Sequence, residues 1–185
     1  MTMFACLSVG AVLVVIALAV VALFNRLVVL RNRVDNAWAQ IEVQLKQRYD
    51  LIPNLVEVVK GYASHEKDTL ERVVQARNMA TSASGVGAQA QADNMLTGAL
   101  KSLFAVAEAY PDLKANTNFL DLQQKLSEVE QKIAYARQFY NDSVMSFNTG
   151  IQTFPANILA GIFGFTARDY FEAEPAADEA PKVQF

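Results

Sequence analysis

Phe119-Leu-Asp-Leu-Gln-Gln-Lys-Leu-Ser-Glu-Val-Glu-Gln-Lys-Ile-Ala-Tyr-Ala-Arg-Gln-Phe-Tyr-Asn-Asp-Ser-Val-Met-Ser-Phe147 is the stretch that decides the fold. Its apolar groups fall at Phe119, Leu122, Leu126, Val129, Ile133, Ala136, Tyr140, Val144 and Phe147, and the register continues to Ile151. Steps of three and four keep these side chains on one helical stripe, as narrow as the seam of a coiled coil or antiparallel bundle. Such a helix is stable only when its stripe is covered, so the rest of the chain must supply partner helices.

Upstream, the same rhythm runs through Leu27, Leu30, Val34, Ala37, Trp38, Ile41, Leu45, Ile52, Leu55, Val59, Tyr62, Ala63, Leu70, Val73 and Ala80, with Arg33, Glu42, Lys46, Lys60, Lys67 and Glu71 falling mainly between. No glycine lies between Gly10 and Gly61, which leaves Pro53 as the candidate break: a proline there removes the helical bond to the Tyr49 carbonyl. The stripe resumes in phase after it. The pattern therefore predicts one long kinked helix to about Ala80, with two helices meeting near Asp50 as the alternative. Residues 81–94, small and polar with Gly85 and Gly87, read as a loop. A second helix is expected from about Ala90 or Asp93, carrying Leu96, Leu100, Leu103, Phe104 and Ala107 to a stop at Pro111. Residues 112–116 then connect to the seam helix, and a short apolar element, Phe154 to Phe165, follows it.

At the other end, residues 1–25 carry no charged side chain, and the run from Phe4 to Phe24 is almost wholly aliphatic. About 20 apolar residues at about 1.5 Å each match a hydrocarbon core of about 30 Å. A cleaved signal peptide fits less well, because no Lys or Arg precedes the run, the run is long, and no polar segment with an A-x-A-like site follows it. Residues 3–24 are thus expected to contact the lipid bilayer. Arg26, Arg31 and Arg33 follow the run, so the positive-inside tendency places the N-terminus outside and the remainder in the cytoplasm. The expected organisation is a transmembrane anchor over 1–25, a helical bundle over 26–172 and a disordered acidic tail over 173–185. The fold class is all-α: a transmembrane helix continuing into a long kinked helix, within an antiparallel bundle of three to four helices.

Composition narrows function by exclusion. The net charge of −3 is matched by Glu172, Glu174, Asp178 and Glu179 against Lys182. The helical part is nearly neutral, without the basic stripe that nucleic acid requires. The single cysteine, Cys6, excludes a disulfide framework, and His65 is the only histidine. His65-Glu66 begins an H-E-x-x-H pattern, but Thr69 stands where the second histidine would be. Phosphate-binding glycine loops and a G-x-S-x-G elbow are missing, so no enzyme, cofactor or metal is expected.

Many short motifs point together to a known family: Arg31-Asn32, Ala37-Trp38, Val43-Gln-Leu-Lys-Gln-Arg-Tyr-Asp-Leu-Ile-Pro-Asn-Leu-Val-Glu57, Val59-Lys-Gly-Tyr-Ala63, Tyr110-Pro-Asp-Leu-Lys-Ala-Asn116, Ala136-Arg137, Phe139-Tyr-Asn-Asp142, Phe154-Pro155 and Phe163-Gly-Phe165. From Arg26 to Glu172 the chain resembles the LemA family. The resemblance implies a bacterial single-pass membrane protein with an outward N-terminus and a cytoplasmic helical bundle, and it implies no biochemical activity. Thr117 stands between Asn116 and Asn118, where an acidic residue is common in that family.

Two residue sets are candidates for function. Arg48, Asn54, Asn118, Arg137, Asn141 and Asp142 are polar groups at or beside seam positions, and Arg137 and Asn141 share a helix face. They serve either an interhelix network that fixes register or a recognition surface. Phe154, Ile158, Ile162 and Phe163, with Phe165 close behind, either cap the core or form an apolar contact. No basic residue lies within that segment, which ranks lipid contact below oligomer contact. The expected function is a membrane-anchored, non-catalytic scaffold or assembly protein, self-associating in the bacterial inner membrane. The alternative is a regulatory adaptor that binds another protein through the bundle.

Overall fold

A computed structural model describes residues 2–171, with side chains from Gly10 onward. The expected acidic tail lies outside the described residues. The fold is all-α, as expected, with six helices among the described residues: α1 (Thr2–Tyr62), α2 (Lys67–Ser82), α3 (Val86–Glu108), α4 (Pro111–Lys114), α5 (Thr117–Gln152) and α6 (Ala156–Phe163).

The long first helix does not reach Ala80. It passes through Pro53 unbroken and ends at Tyr62. Proline leaves the Tyr49 carbonyl without its helical donor, and Arg77 of α2 supplies a replacement, Nε donating to that oxygen at 2.9 Å. The break falls instead at residues 63–66, where Glu66 N–H bonds back to the Ala63 carbonyl at 3.1 Å and closes a turn. The apolar stripe lapses after Ala63, where Ser64 to Thr69 are six polar residues in succession that offer no buried face to carry α1 onward. Residues 81–94 are also mostly helical. The connector shrinks to 83–85, because only Gly85, at φ 84°, has a left-handed backbone, while the Ala- and Gln-rich residues after it favour helix. The expected connector 112–116 contains α4, with Pro111 at its start, where a missing N–H costs nothing. The seam of α5 is as expected, Phe119, Leu126, Ile133, Tyr140, Val144 and Phe147 all being buried.

Arg77→Met is expected to lower stability by about 1–3 kcal/mol by stranding the Tyr49 carbonyl. The penalty shrinks in a Pro53→Ala background, where the helix supplies its own donor. A double-mutant cycle in urea measures the coupling, and equal penalties in both backgrounds refute it.

The described chain forms two compact units, and α1 and α5 contribute residues to both. In the first, residues 2–39 and 139–168, α1 and α5 run antiparallel. Trp38 meets Tyr140 with ring centroids 5.6 Å apart, and the Arg33 guanidinium lies 5.3 Å from the Phe139 ring centroid. At the other end a methyl on Gly150 would come within 3.0 Å of Leu30 Cδ1, so glycine permits the close approach. Beyond α6, Gly164 takes φ 68° and Phe165 N–H bonds to the Ala160 carbonyl at 2.9 Å. That cap turns Phe165 onto Phe147 and Phe24, at centroid distances of 6.4 and 5.9 Å. The buried Asn148 holds the next segment twice, its amide nitrogen donating to Arg168 O and its oxygen accepting from Arg168 N–H, each at 2.9 Å.

The second unit, residues 40–138 and 169–171, packs the α2–α3 hairpin with the adjoining parts of α1 and α5. Ile41, Leu45, Ile52, Leu55 and Val59 of α1, Val73 of α2, Leu96 and Leu103 of α3 and Ile133 of α5 are fully or almost fully buried. Tyr62 and Asn116 meet at one end, where Asn116 Nδ2 donates to the Tyr62 hydroxyl at 2.9 Å. Phe104 and Phe119 meet edge to face at 6.2 Å.

Candidate functional site

Arg48 and Arg137 converge on an acid not singled out in the sequence. Arg48 projects from α1 into the second unit, where its Nη1 donates to Asp93 Oδ1 at 2.8 Å and its Nη2 to Thr97 Oγ1 at 2.9 Å. Glu130 Oε2 of α5 lies 3.3 Å from the same Nη2. The other carboxylate oxygen of Asp93 takes a charge-assisted bond from Arg137 of α5, whose guanidinium sits 4.7 Å from the Phe171 ring centroid. Asp93 is fully enclosed and the Arg48 side chain is 3 % exposed. Arg48 and Asp93 therefore neutralise each other in the low-dielectric interior, while Arg137 and the half-exposed Glu130 balance the cluster at its solvent edge.

A neutral network adjoins this cluster. Gln89 Nε2 donates to the Tyr49 hydroxyl at 2.7 Å and to the Ala80 carbonyl at 3.1 Å, joining α1, α2 and α3. Burial, reinforced by the Asp93 charge, pushes the Tyr49 phenol up to about 12. A raised value means that the folded state keeps a proton the unfolded chain loses. Its stabilising contribution is complete below about pH 10 and lost as pH rises to about 12. Titration of the tyrosinate absorbance is expected to show a late-ionising tyrosine that Tyr49→Phe removes. Glu66 accepts from the Tyr110 hydroxyl at 3.1 Å, and that bond, the largest cause, holds the Tyr110 phenol above its ordinary range.

The remaining polar candidates lie elsewhere. Asn54 and Asn118 are exposed and line one shallow groove with Glu57, Asp121 and Lys125. Asn141 is half-buried and Asp142 exposed, both in the first unit, where the Asp142 carbonyl accepts from Ser146 Oγ at 2.8 Å. Asp93 carried a readable signal, since it stands three residues before Leu96 on the α3 stripe, an acid at a seam position as Arg48 is a base. His65 is exposed, and no group of three or more metal-ligating side chains occurs among the described residues.

The apolar candidates divide. Phe154, Ile158, Ile162 and Phe163 are exposed, while Ala156, Leu159 and Ala160 form the buried face of α6. Phe163 nevertheless meets Phe24 in a tilted ring contact at 4.8 Å, and Phe165 lies under the Arg31 guanidinium at 5.4 Å. The fold thus brings a base to a segment that contains none.

The model of the LemA family matches residues 37–185. Magnetosome protein MamQ 2 of Paramagnetospirillum magneticum is 28% identical over 203 residues, covering 92% of this chain and 75% of that protein. Magnetosome protein MamQ of Magnetospirillum gryphiswaldense is 26% identical, covering 84% and 66%. Protein LemA of Metamycoplasma hominis is 31% identical over 141 residues, covering 74% and 63%.

Proposed function

Because the chain belongs to the LemA family, we propose that it is a membrane-anchored, non-catalytic scaffold whose helical bundle self-associates. The observation that carries this reading is the closure of the Asp93 cluster. Its enclosed pair, Arg48 and Asp93, joins α1 to α3, and Arg137 ties α5 to the same carboxylate, with Asp93 shut off from solvent. A group held this way orders helices; it does not meet a substrate. What remains for function is the surface and the N-terminal apolar segment, the start of the one helix among the described residues long and apolar enough to cross a membrane. In this reading residues 1–25 are the anchor in a bacterial inner membrane, with the N-terminus outside, the bundle over 26–172 cytoplasmic and 173–185 a flexible tail.

Light scattering on the full-length protein in detergent is expected to return one defined oligomer across a wide concentration range. A strict monomer at every concentration refutes self-association. The reading then passes to an adaptor that binds a separate protein, which one observation favours. Beside Arg48 and Glu130 a groove of about 460 Å³ opens, lined by Leu100, Phe104 and Leu126 and wide enough for a partner's side chains. Protease added outside intact cells is expected to spare the bundle; digestion would reverse the orientation.

A further inference from the structure

We infer that α6 is a second membrane contact: the edge formed by Phe154, Ile158 and Ile162 lies in the lipid interface beside the point where α1 leaves the bilayer. This rests on reading residues 3–24 as membrane-spanning.

Three observations in the first unit place α6 at that level. The side chains of α1 from Val12 to Ala19, and that of Val21, are exposed along a wholly apolar run. Partial burial along α1 first touches Val20, resumes at Leu23 and Phe24, which are half-buried, and is complete at Leu27. The ring over Phe24 is Phe163, the last residue of α6, at 4.8 Å, with Phe165 at 5.9 Å. The packing of α5 agrees, because it runs antiparallel to α1 and brings Gly150 against Leu27 and Leu30. Phe154 lies four residues further on, so the turn between α5 and α6 sits at the membrane-facing end of this unit.

The chemistry of the outward face fits the same place. α6 buries Ala156, Leu159 and Ala160 and turns Ile158 and Ile162 outward at 54% and 70% exposure, with Phe154 before them at 81%. No charged residue lies between Phe154 and Phe165. In water, a ridge of a phenylalanine and two isoleucines exposes apolar surface to no benefit; in the interface that surface is covered by acyl chains. Cations follow the apolar span in the chain, and one of them reaches the segment after α6. Arg26 and Arg31 are exposed, and Arg31 lies over the Phe165 ring, where a guanidinium can meet a lipid phosphate. An apolar edge backed by arginines, next to the end of an apolar span, is the arrangement of an interfacial helix. The contact gives the anchor a second attachment point and so restrains tilt and rotation about α1, which a single spanning helix leaves free.

The test measures depth at defined positions of the full-length protein. The only cysteine is Cys6, so Cys6→Ser provides a background for single nitroxide labels at Phe154→Cys, Ile162→Cys, Leu13→Cys and Met145→Cys. All four native side chains are exposed. Met145 lies on α5 about 7.5 Å further from the anchor than Gly150. Each labelled protein is reconstituted into phosphatidylcholine–phosphatidylglycerol vesicles, and collision rates with oxygen, which partitions into lipid, and with a water-soluble nickel chelate are compared. The ratio of oxygen to nickel collisions is expected to be several-fold higher at 154 and 162 than at 145, at depths of about 5–10 Å, and highest at 13.

A lipid-like ratio at 13 with water-like ratios at 154 and 162 overturns the α6 contact and leaves the anchor standing. A water-like ratio at 13 overturns the anchor reading and this inference with it. Labels at 154 and 162 that are immobilised and shielded from both reagents mean that protein, a second copy included, covers the ridge, and that also overturns it.

Discussion

Asp93→Ala is expected to destabilise the unit formed by residues 40–138 and 169–171 by about 3–5 kcal/mol, the usual cost of breaking a buried ion pair from one side. The size follows from what is left behind. Arg48 is almost wholly enclosed and loses its strongest partner, retaining Thr97 and the half-exposed Glu130. Arg137 is 23% exposed and can turn toward water, so Arg48 carries most of the penalty. Replacing the enclosed pair together, Arg48→Met with Asp93→Leu, is expected to cost less than Asp93→Ala alone, because no buried charge is stranded and the new side chains restore apolar contact. Amide exchange along α3 is the measurement. Protection there falls in the single variant and recovers in the double one. A loss below about 1 kcal/mol for Asp93→Ala would put the pair in the class of exposed salt bridges and refute the closed cluster.

Phe147→Ala is expected to cost about 3–5 kcal/mol in the other unit, mainly from a cavity that rigid neighbours cannot fill. Phe147 is 1% exposed and meets Phe165 at 6.4 Å. Phe165 is in turn fixed by the Gly164 cap and by Phe24. The loss is therefore expected to loosen α6 as well as α5, and amide protection over 156–165 reports it. Phe147→Leu, which retains most of the volume, is expected to lose less than half as much. Unchanged protection at α6 in Phe147→Ala would show that α6 is held without Phe147, by Phe24 and its own buried face of Ala156, Leu159 and Ala160. A chain that packs in two units need not unfold in one step, so exchange resolved by residue is preferable to a single denaturation midpoint.

These two residues illustrate how far sequence reasoning reached. Phe147 was readable because its burial follows from periodicity: every third or fourth residue of a long helix faces the same way. For Asp93 the same spacing gives the seam position, as it does for Arg48, but not the partners. Periodicity assigns a residue to a face but says nothing of which residue on another helix will meet it. The Arg48–Asp93 and Arg137–Asp93 pairs span 45 and 44 residues of chain. Asn54 and Asn118 line one groove for the same reason, and the sequence had flagged each without any sign that they would meet.

The helix boundaries show the same division. Pro53 is a strong local signal for a break, and α1 continues because a donor arrives from α2. The true break at 63–66 has a weak signal, the start of a run of six polar residues without a proline. Gly85 marks the second boundary closely, since a left-handed backbone is a local property of glycine.

By itself, then, the sequence determined what depends on neighbours along the chain: an all-helical fold, a membrane-length apolar start, the buried stripe of each long helix and membership of a recognisable family. Only the tertiary structure decided what depends on neighbours in space. It placed one buried aspartate between two arginines, handed the carbonyl freed by Pro53 to Arg77, and set α6 against Phe24 with an arginine over Phe165. The physical reason is that hydrophobic burial is non-directional and is written into composition and spacing. Hydrogen bonds, ion pairs and ring contacts are short-ranged and directional, and their partners exist only once the helices have packed.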